Sequence, residues 1–433
     1  MAEVRPFRGL RYNPDIAGPL GKLLCPPYDV ISPEARAALR GLSPYNAVHV
    51  ELPEAVPGDS DGSHRYALAA QNLALWRQGE ALALDPGPSY YLARHRYRHR
   101  GRWLERRGLT ARVRLQPFEE RVILPHEETS PGPKADRLRL LQACRTNLSP
   151  IMALYQDAQG DLGAALERLM GRHPTAEAQW EDDQELTLWV VGAPQLEDPI
   201  RATLEAAPLF IADGHHRYET ALLYRDQRRL QATTSPGEDA FDFVMVTLIS
   251  FQDPGLLVLP YHRTLGGLDP PTFTTLRRRL QQAFHLEPLS PRPQGPQALE
   301  EAAQAHRQPM SLALLGPDGE GPYLLTLREE EARRLETLPG GPFLRKAAGW
   351  VLQEALFRPV LGPSSPGLAY VHDPQEAWDQ VTHGQQQLAF FLQPFPLDLF
   401  QALVSAGKRL PPKSTYFYPK LPTGVVFYPL EVP

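Results

Sequence analysis

Two short stretches of the chain gather most of the side chains that could do chemistry. In the first, PLFIADGHHRYETALL from Pro208 to Leu223, an apolar run from Leu209 to Ala212 stops at Asp213-Gly214. Tyr218, Ala221 and Leu222 then recur at helical spacing, which predicts strand, tight turn and helix. Asp213, His215, His216, Arg217 and Glu219 all fall at that turn. Gly214 permits a backbone conformation that other residues resist. The first turn of the helix would offer free N–H groups and the positive end of its dipole to an anion. An ordinary strand-to-helix junction would also have a polar turn, but the density of polar groups favours a site.

The second stretch is VILPHEETS, Val122 to Ser130, followed by a helix from Lys134 to Cys144 with Ala135, Leu138 and Leu141 on its buried stripe. His126, Glu127, Glu128 and Thr129 offer a general base, a metal carboxylate or a hydroxyl contact, and Lys134 and Arg137 can approach an anion. A plain polar loop explains the same residues equally well. A third stretch, LPPKSTYFYPKLPTG, sets Lys413, Ser414, Thr415 and Lys420 around Tyr416, Phe417 and Tyr418. The lysines would meet phosphates and an aromatic the base of a nucleotide, although alternating aromatics also suit an edge strand. Only six of the 45 basic residues are lysines, and three of them lie between Lys408 and Lys420.

The elements that must position these residues follow from patterning. A chain of 433 residues exceeds one compact core, so two domains or a large insertion are expected. Asn46 to Leu52 alternates like a strand, and Tyr66 to Trp76 reads as an amphipathic helix. Pro88 to Leu115 reads as a hairpin around RGRWLER, its arginines on a solvated strand face. Tyr28 and Asp29 precede a helix that starts at Ser32-Pro33, with serine as cap, and are candidates for a pocket wall. SPIMALY is a strand, and a helix from about Asp161 to Met170 opens an insertion running to Arg201. FDFVMVTLIS is a buried strand. From Leu268 the character changes to helices, a Pro-rich link and a hairpin SLALLGPDGEGPYLLTL, the pattern of a second, two-layer domain. Phe343 to Phe357 reads as one helix whose apolar stripe serves the core, with a homodimer surface as the alternative.

Composition narrows the function classes. A net charge of −5 weighs against general binding to nucleic acid or an anionic membrane. The two cysteines, Cys25 and Cys144, build neither a disulfide framework nor a cysteine-rich zinc site, which fits a reduced, cytoplasmic setting. Charges and prolines occupy the N-terminus where a signal peptide needs an apolar stretch, and no apolar run is long enough to span a bilayer.

Taken together, LCPPYDVI, LPHEET, DRLRLL, FIADGHHRYETAL, LPYHR and KSTYFYPK resemble the family called domain of unknown function 1015, over essentially the whole chain. The order strand, PHEE-like turn, helix, strand, DG-x-x-R turn, helix more remotely resembles the ParB and sulfiredoxin-like fold, whose members include kinases of free serine. That resemblance implies Glu127 or Glu128 as the base that activates a substrate hydroxyl. It implies phosphate and metal contacts from Asp213, Gly214, His216 and Arg217, with His215 beside them. The chain departs from the remote pattern in the long separation of its two motifs and in its large C-terminal region, so the substrate does not carry over.

The fold expected is therefore α/β: a ParB/sulfiredoxin-like nucleotide-handling core at about 108–266, within an N-terminal region 1–266, plus a C-terminal α+β domain at 267–433. The function expected is transfer of phosphate from ATP or ADP, with Mg2+, to a small hydroxyl compound. Glu127, Glu128, Asp213 and His216 would be catalytic, and Asp213 and Glu219 would hold the metal. Gly214, His215, Arg217, Lys413, Ser414, Thr415 and Lys420 would bind the nucleotide. No G-x-x-x-x-G-K-[ST] is present to act as a P-loop. The alternatives are a non-catalytic nucleotide-binding regulator, and a metal-dependent hydrolase or nuclease using His215 and Glu219 with His126 or His216.

Overall fold

The structure, a computed structural model, describes residues 1–54, 63–181, 183–204, 207–231, 237–305, 311–316, 321–411 and 413–431. The chain forms two compact units, one of Met1–Leu256 with Pro419–Pro433 and one of Leu257–Tyr418. The boundary therefore precedes the expected 266/267, and the chain returns to the first unit at its end. Its return is fixed by backbone pairing: Leu10 with Phe427, Cys25 with Thr423, and Thr146–Asn147 with Tyr428–Pro429.

The first unit is built on a mixed nine-stranded sheet. Along the chain its strands are β1 Val4–Arg5, β2 Ser89–His99, β3 Arg102–Arg114, β4 Ile123–Leu124, β5 Ile151–Tyr155, β6 Ala176–Gln179, β7 Gln184–Gly192, β8 Leu209–Asp213 and β9 Phe243–Ser250. Their spatial order is β4-β8-β5-β9-β3-β2-β7-β6, with β1 also on β3. Every residue of β5, IMALY, is buried, as a central strand covered on both faces requires. Helices α1 Ser63–Gln78, α2 Pro131–Cys144 and α3 His215–Arg229 matter most below. One sheet face, with Leu109, Ala111, Val113, Val246 and Leu248, packs in a core that also holds Tyr218 and Ala221 of α3. Phe7, Tyr91, Phe243 and Met245 pack with Val426, Tyr428 and Leu430 of the returning tail.

The pairing of β4 with β8 positions the site. These strands run parallel, Ile123 opposite Leu209 and Leu124 opposite Phe210, so their carboxyl ends emerge side by side. In α/β sheets such ends are where ligands are met.

The second unit is α+β. Its six-stranded sheet runs Phe284–Pro288, Tyr323–Leu327, Ser311–Leu315, Leu388–Phe391, His262–Leu265, Leu368–Val371, antiparallel throughout. The expected hairpin 311–327 is present as paired strands; residues 317–320 of its turn lie outside the described residues. Among the described residues no helix is long and apolar enough to cross a membrane.

Several local expectations are corrected. Val48–Glu51 is a helical turn, not part of a strand, because the buried Asn46 accepts from Val48 N–H and donates to the Lys22 and Leu24 carbonyls. The hairpin link is only Arg100-Gly101, both at positive φ, and His99 already faces Arg102. Nor are the hairpin's arginines all solvated: Arg106 is 1% exposed. Phe343 to Phe357 is broken into Gly341–Leu344, Ala348–Leu352 and a π-helical turn Gln353–Phe357. Ala347, Val351, Leu352 and Ala355 are buried within the chain, as a core stripe requires.

Candidate functional site

The turn after β8 is built as the sequence predicts. Gly214 stands at φ 92°, in the left-handed region. The left-handed φ favours glycine, and a Cβ there would lie 3.0 Å from Arg217 Nε and press on the guanidinium. The first helical bond runs from Tyr218 N–H to the Gly214 carbonyl, 3.0 Å, and the N–H groups of His215, His216 and Arg217 precede it at the positive end of α3.

Asp213 collects two cations. Arg217 Nη2 donates to Oδ2 at 2.6 Å, and Lys420 Nζ, from the returning tail, donates to Oδ1. Burial pushes the Asp213 carboxyl up, but Lys420 and Arg217 outweigh it and hold it below the usual carboxylate range. Arg217 also donates through Nη1 to the Pro150 carbonyl at 2.5 Å. Two fixed cations thus converge on one carboxylate beside the helix N-terminus, a setting that suits a phosphate.

The PHEET turn is clipped onto this helix start by its two histidines. His126 N–H donates to His215 Nε2 at 3.2 Å, and Ser130 N–H donates to His216 Nε2 at 3.0 Å. An Nε2 that accepts a backbone proton carries none itself, so both rings are neutral with the proton on Nδ1. For His216, burial above all, then Lys134 and Arg217, lowers the pKa and favours that neutral form. His126 Nδ1 lies 2.7 Å from the Ile211 carbonyl, so it donates, and its ring meets that of His215 edge-on at 4.5 Å. Glu219, one helical turn on, accepts from Thr129 Oγ1 at 2.6 Å and from Lys134 Nζ at 2.9 Å. Glu127 Oε1 lies 3.9 Å from His126 Nε2, and Glu128 is exposed.

The expected residues thus separate by role. The turn carrying Glu127 and Glu128 is bonded to the one carrying Asp213 to Arg217, and Lys420 joins them. His216, expected to be catalytic, and His215, expected to touch nucleotide, spend their Nε2 lone pairs on the loop and position it. Lys413, Ser414 and Thr415 belong to the second unit. There Lys413 Nζ sits 5.1 Å from the Tyr261 ring centre, and Ser414 Oγ donates to the Pro411 carbonyl at 2.6 Å.

Sequence reasoning missed Glu51 and the Pro150 carbonyl. Glu51 is 1% exposed; Ser149 Oγ donates to its Oε1 at 3.2 Å, and Arg137 Nη1 donates to its carbonyl at 2.9 Å. Arg137 lies 4.0 Å over the Tyr28 ring. Burial, then Asp29, raises the Tyr28 hydroxyl to about 12. Arg137 and Arg217 share the wall of a small recess with Glu51, Asn147, Ser149 and Thr220, whose cavity volume is about 50 Å³. The sequence holds no local signal for Glu51, which arrives from a distant segment.

The metal expectation does not fit these side chains. Among the described residues no group of three or more His, Cys, Asp or Glu side chains is placed to hold an ion. Asp213 and Glu219 both face cations, which Mg2+ would have to displace. The lone pairs of His215 and His216 are taken by N–H groups.

Comparison with known proteins gives a family and distant folds. Residues 4–343 match the family described as Protein of unknown function (DUF1015). No curated protein matches the chain. Similar solved structures include a conserved hypothetical protein from Pyrococcus furiosus, at 14% identity and TM-score 0.34, covering 73% of this chain and 93% of that one. A free serine kinase in complex with AMP is 15% identical at TM-score 0.33, over 71% and 86% of the two chains. SbnI with C-terminal truncation from Staphylococcus aureus is 12% identical at TM-score 0.36, over 75% and 87%.

Proposed function

The chain belongs to the DUF1015 family, and for it we propose nucleotide-dependent phosphoryl transfer to a small hydroxyl compound, of which free serine is an example. ATP or ADP is the donor in this reading. The observation that carries it is the clipping of the glutamate-bearing turn onto the α3 N-terminus, through His126 N–H to His215 and Ser130 N–H to His216. This brings a carboxylate base and an anion cradle onto one helix end, as phosphoryl transfer needs.

The division of labour follows. Phosphate oxygens lie on the first N–H groups of α3, with Arg217 and Lys420 as counter-charges oriented by Asp213. Glu127 or Glu128 takes the acceptor's hydroxyl proton as its oxygen attacks the terminal phosphorus and the bond to the leaving nucleotide oxygen breaks. His126, His215, His216 and Glu219 hold the base-bearing turn. No step is assigned to a metal.

The test is a thermal-shift and calorimetric panel of ATP, ADP, CTP and pyrophosphate, with and without Mg2+, followed by phosphate transfer to serine and other small alcohols. Arg217→Ala should weaken nucleotide binding about tenfold or more, the loss of a charge-assisted contact. Of Glu127→Gln and Glu128→Gln, the variant at the base should lower turnover by about 10²–10⁴ while leaving nucleotide affinity intact. Nucleotide binding without transfer would instead identify a regulator. A shift with zinc and none with nucleotide would overturn the proposal in favour of a metal hydrolase.

A further inference from the structure

A larger cavity opens at the other end of the large sheet. Strands β5 and β9 run parallel, with Tyr155 opposite Ser250, so their carboxyl ends emerge together, the setting in which α/β sheets meet ligands. β5 is antiparallel to β8, with Leu154 opposite Phe210 and Met152 opposite Asp213. This end therefore lies away from the phosphate cradle. Arg107, Tyr155, Asp157, Glu167, Gln252 and Asp253 line a space of about 260 Å³, together with the first turn of the helix Asp161–Met170. One water needs only about 10–15 Å³, so a molecule of several heavy atoms fits.

Most polar groups around this space are spent on the protein itself. Gln252 Oε1 accepts from Asp157 N–H at 3.2 Å and from Ser250 Oγ at 2.9 Å, and Gln252 Nε2 donates to Gln156 Oε1 at 2.7 Å. Asp253 Oδ1 accepts from Gly255 N–H at 2.9 Å, and its Oδ2 accepts from Arg107 N–H at 3.1 Å and Nε at 3.4 Å. Asp157 keeps one oxygen open. Its Oδ2 accepts from Gly163 N–H at 2.7 Å, in the first turn of the helix, but Oδ1 has no partner although the residue is only 6% exposed. A buried acceptor left without a donor costs about 1–3 kcal/mol, and more when charged. Tyr155 is 1% exposed, and burial, then Asp157 and Asp253, raise its hydroxyl above the usual phenol range. It therefore stays neutral beside the two carboxyls. Glu167 Oε2 lies 3.6 Å from Arg107 Nη1, so three carboxyls face one guanidinium and the cavity favours a cation. One open carboxylate oxygen falls short of the about six to eight oxygens that Ca2+ gathers. An ammonium, a compact charge with its donors at one end, is matched by that oxygen and a hydroxyl.

We propose that this cavity binds a small aliphatic amine, its ammonium on Asp157 Oδ1 and the Tyr155 hydroxyl and its chain against Ala164 and Leu166. The assignment stands apart from phosphoryl transfer, because the residues that line the cavity belong neither to the phosphate cradle nor to the PHEET turn.

The test uses the full chain and no nucleotide. Ethanolamine and 1,4-diaminobutane are titrated by calorimetry and thermal shift against the neutral ethylene glycol and 1,4-butanediol, with Mg2+ and Ca2+ as separate titrants. The amines should bind and the diols should not. Asp157→Asn keeps an oxygen for Gly163 N–H but removes the charge, and should weaken amine binding at least about tenfold while the shift given by nucleotide persists. Tyr155→Phe should weaken it about tenfold at most, as the loss of one hydroxyl contact does. Ala164→Phe, at an exposed helix position on the cavity wall, should abolish it by filling the space. Should Asp157→Asn fail to give a cooperative transition, the Tyr155 and Ala164 variants decide: unchanged affinity in both overturns the assignment. So does the absence of amine binding in the wild type, its survival in folded Asp157→Asn, or a response to Mg2+ or Ca2+ and none to the amines.

Discussion

Asp213 holds its place by electrostatics that can be titrated. Its carboxyl lies below the ordinary range because Lys420 and Arg217 outweigh burial. A carboxylate so depressed contributes stability above its unfolded value of about 3.9, and that contribution is lost as pH falls through the lower folded value. Lys420→Met removes one cation, so the folded value rises and acid unfolding should begin at higher pH than in the wild type. At neutral pH the variant should lose about 1–3 kcal/mol, the cost of a buried charge left short of a partner. Chemical denaturation across pH 2–7 reads both. Gly214→Ala tests the neighbouring residue. A side chain at φ 92° beside the Arg217 guanidinium should destabilise by about 1–3 kcal/mol and displace Arg217 from any phosphate. At this scale the sequence was informative where a residue type is rare for a reason. An Asp-Gly between an apolar run and a helix marked the turn, and the scarcity of lysine drew notice to Lys420. It was uninformative for Arg106, because arginine's usual place is the surface and only strand parity, shared with Gly108 and Thr110, sets it inside.

At the scale of elements, the decisive fact is that β4 and β8 are parallel neighbours, so two turns eighty-odd residues apart in the chain leave the sheet together. Each turn and its following helix was legible from local pattern. Their adjacency rests on non-local pairing, which no local periodicity encodes; Asn46 to Leu52 failed for the same reason, its alternation overridden by one buried asparagine. Thr129→Val should test the clip, since it removes a hydroxyl from Glu219 while leaving Glu127 and Glu128 in place. Amides of residues 127–130 should exchange faster while global stability changes by less than about 1.5 kcal/mol. The sheet itself should respond to pH through His95 on β2, which burial and then Arg106 push down to about 3. A histidine kept neutral in the fold stabilises it above the unfolded value of about 6.5, and that stability drains as pH falls from there toward about 3. Between pH 7 and 5 the wild type should therefore lose up to about 2 kcal/mol more than His95→Gln in urea denaturation.

For the whole molecule, the second unit is an insertion: the chain leaves the first unit after Leu256 and rejoins it at Pro419. Leu257 pairs directly with Tyr418 in an antiparallel ladder, so the two crossing points are about 5 Å apart. A sequence read in order cannot show this return. The apolar composition of VVFYPL, Val425 to Leu430, suits a strand, but nothing in it says which distant core it enters. Excision of 257–418, with residues 256 and 419 joined through a short Gly-Ser link, should therefore leave a unit that unfolds cooperatively. It should still bind nucleotide, because Asp213, Gly214, Arg217, Lys420 and the PHEET turn all belong to it. Residues 1–256 without the tail should not. They lack Lys420, and they lack Val426, Phe427 and Tyr428, each 3% exposed or less. Burying each such side chain contributes about 1.5–3 kcal/mol, so the three together rival the 5–15 kcal/mol that typically separates a folded domain from its unfolded chain. Equal stability of the two shortened chains would mean that the tail merely decorates the first unit. Loss of nucleotide binding in the joined chain, with its cooperative unfolding intact, would instead bring Lys413, Ser414 and Thr415 of the excised unit back as nucleotide ligands.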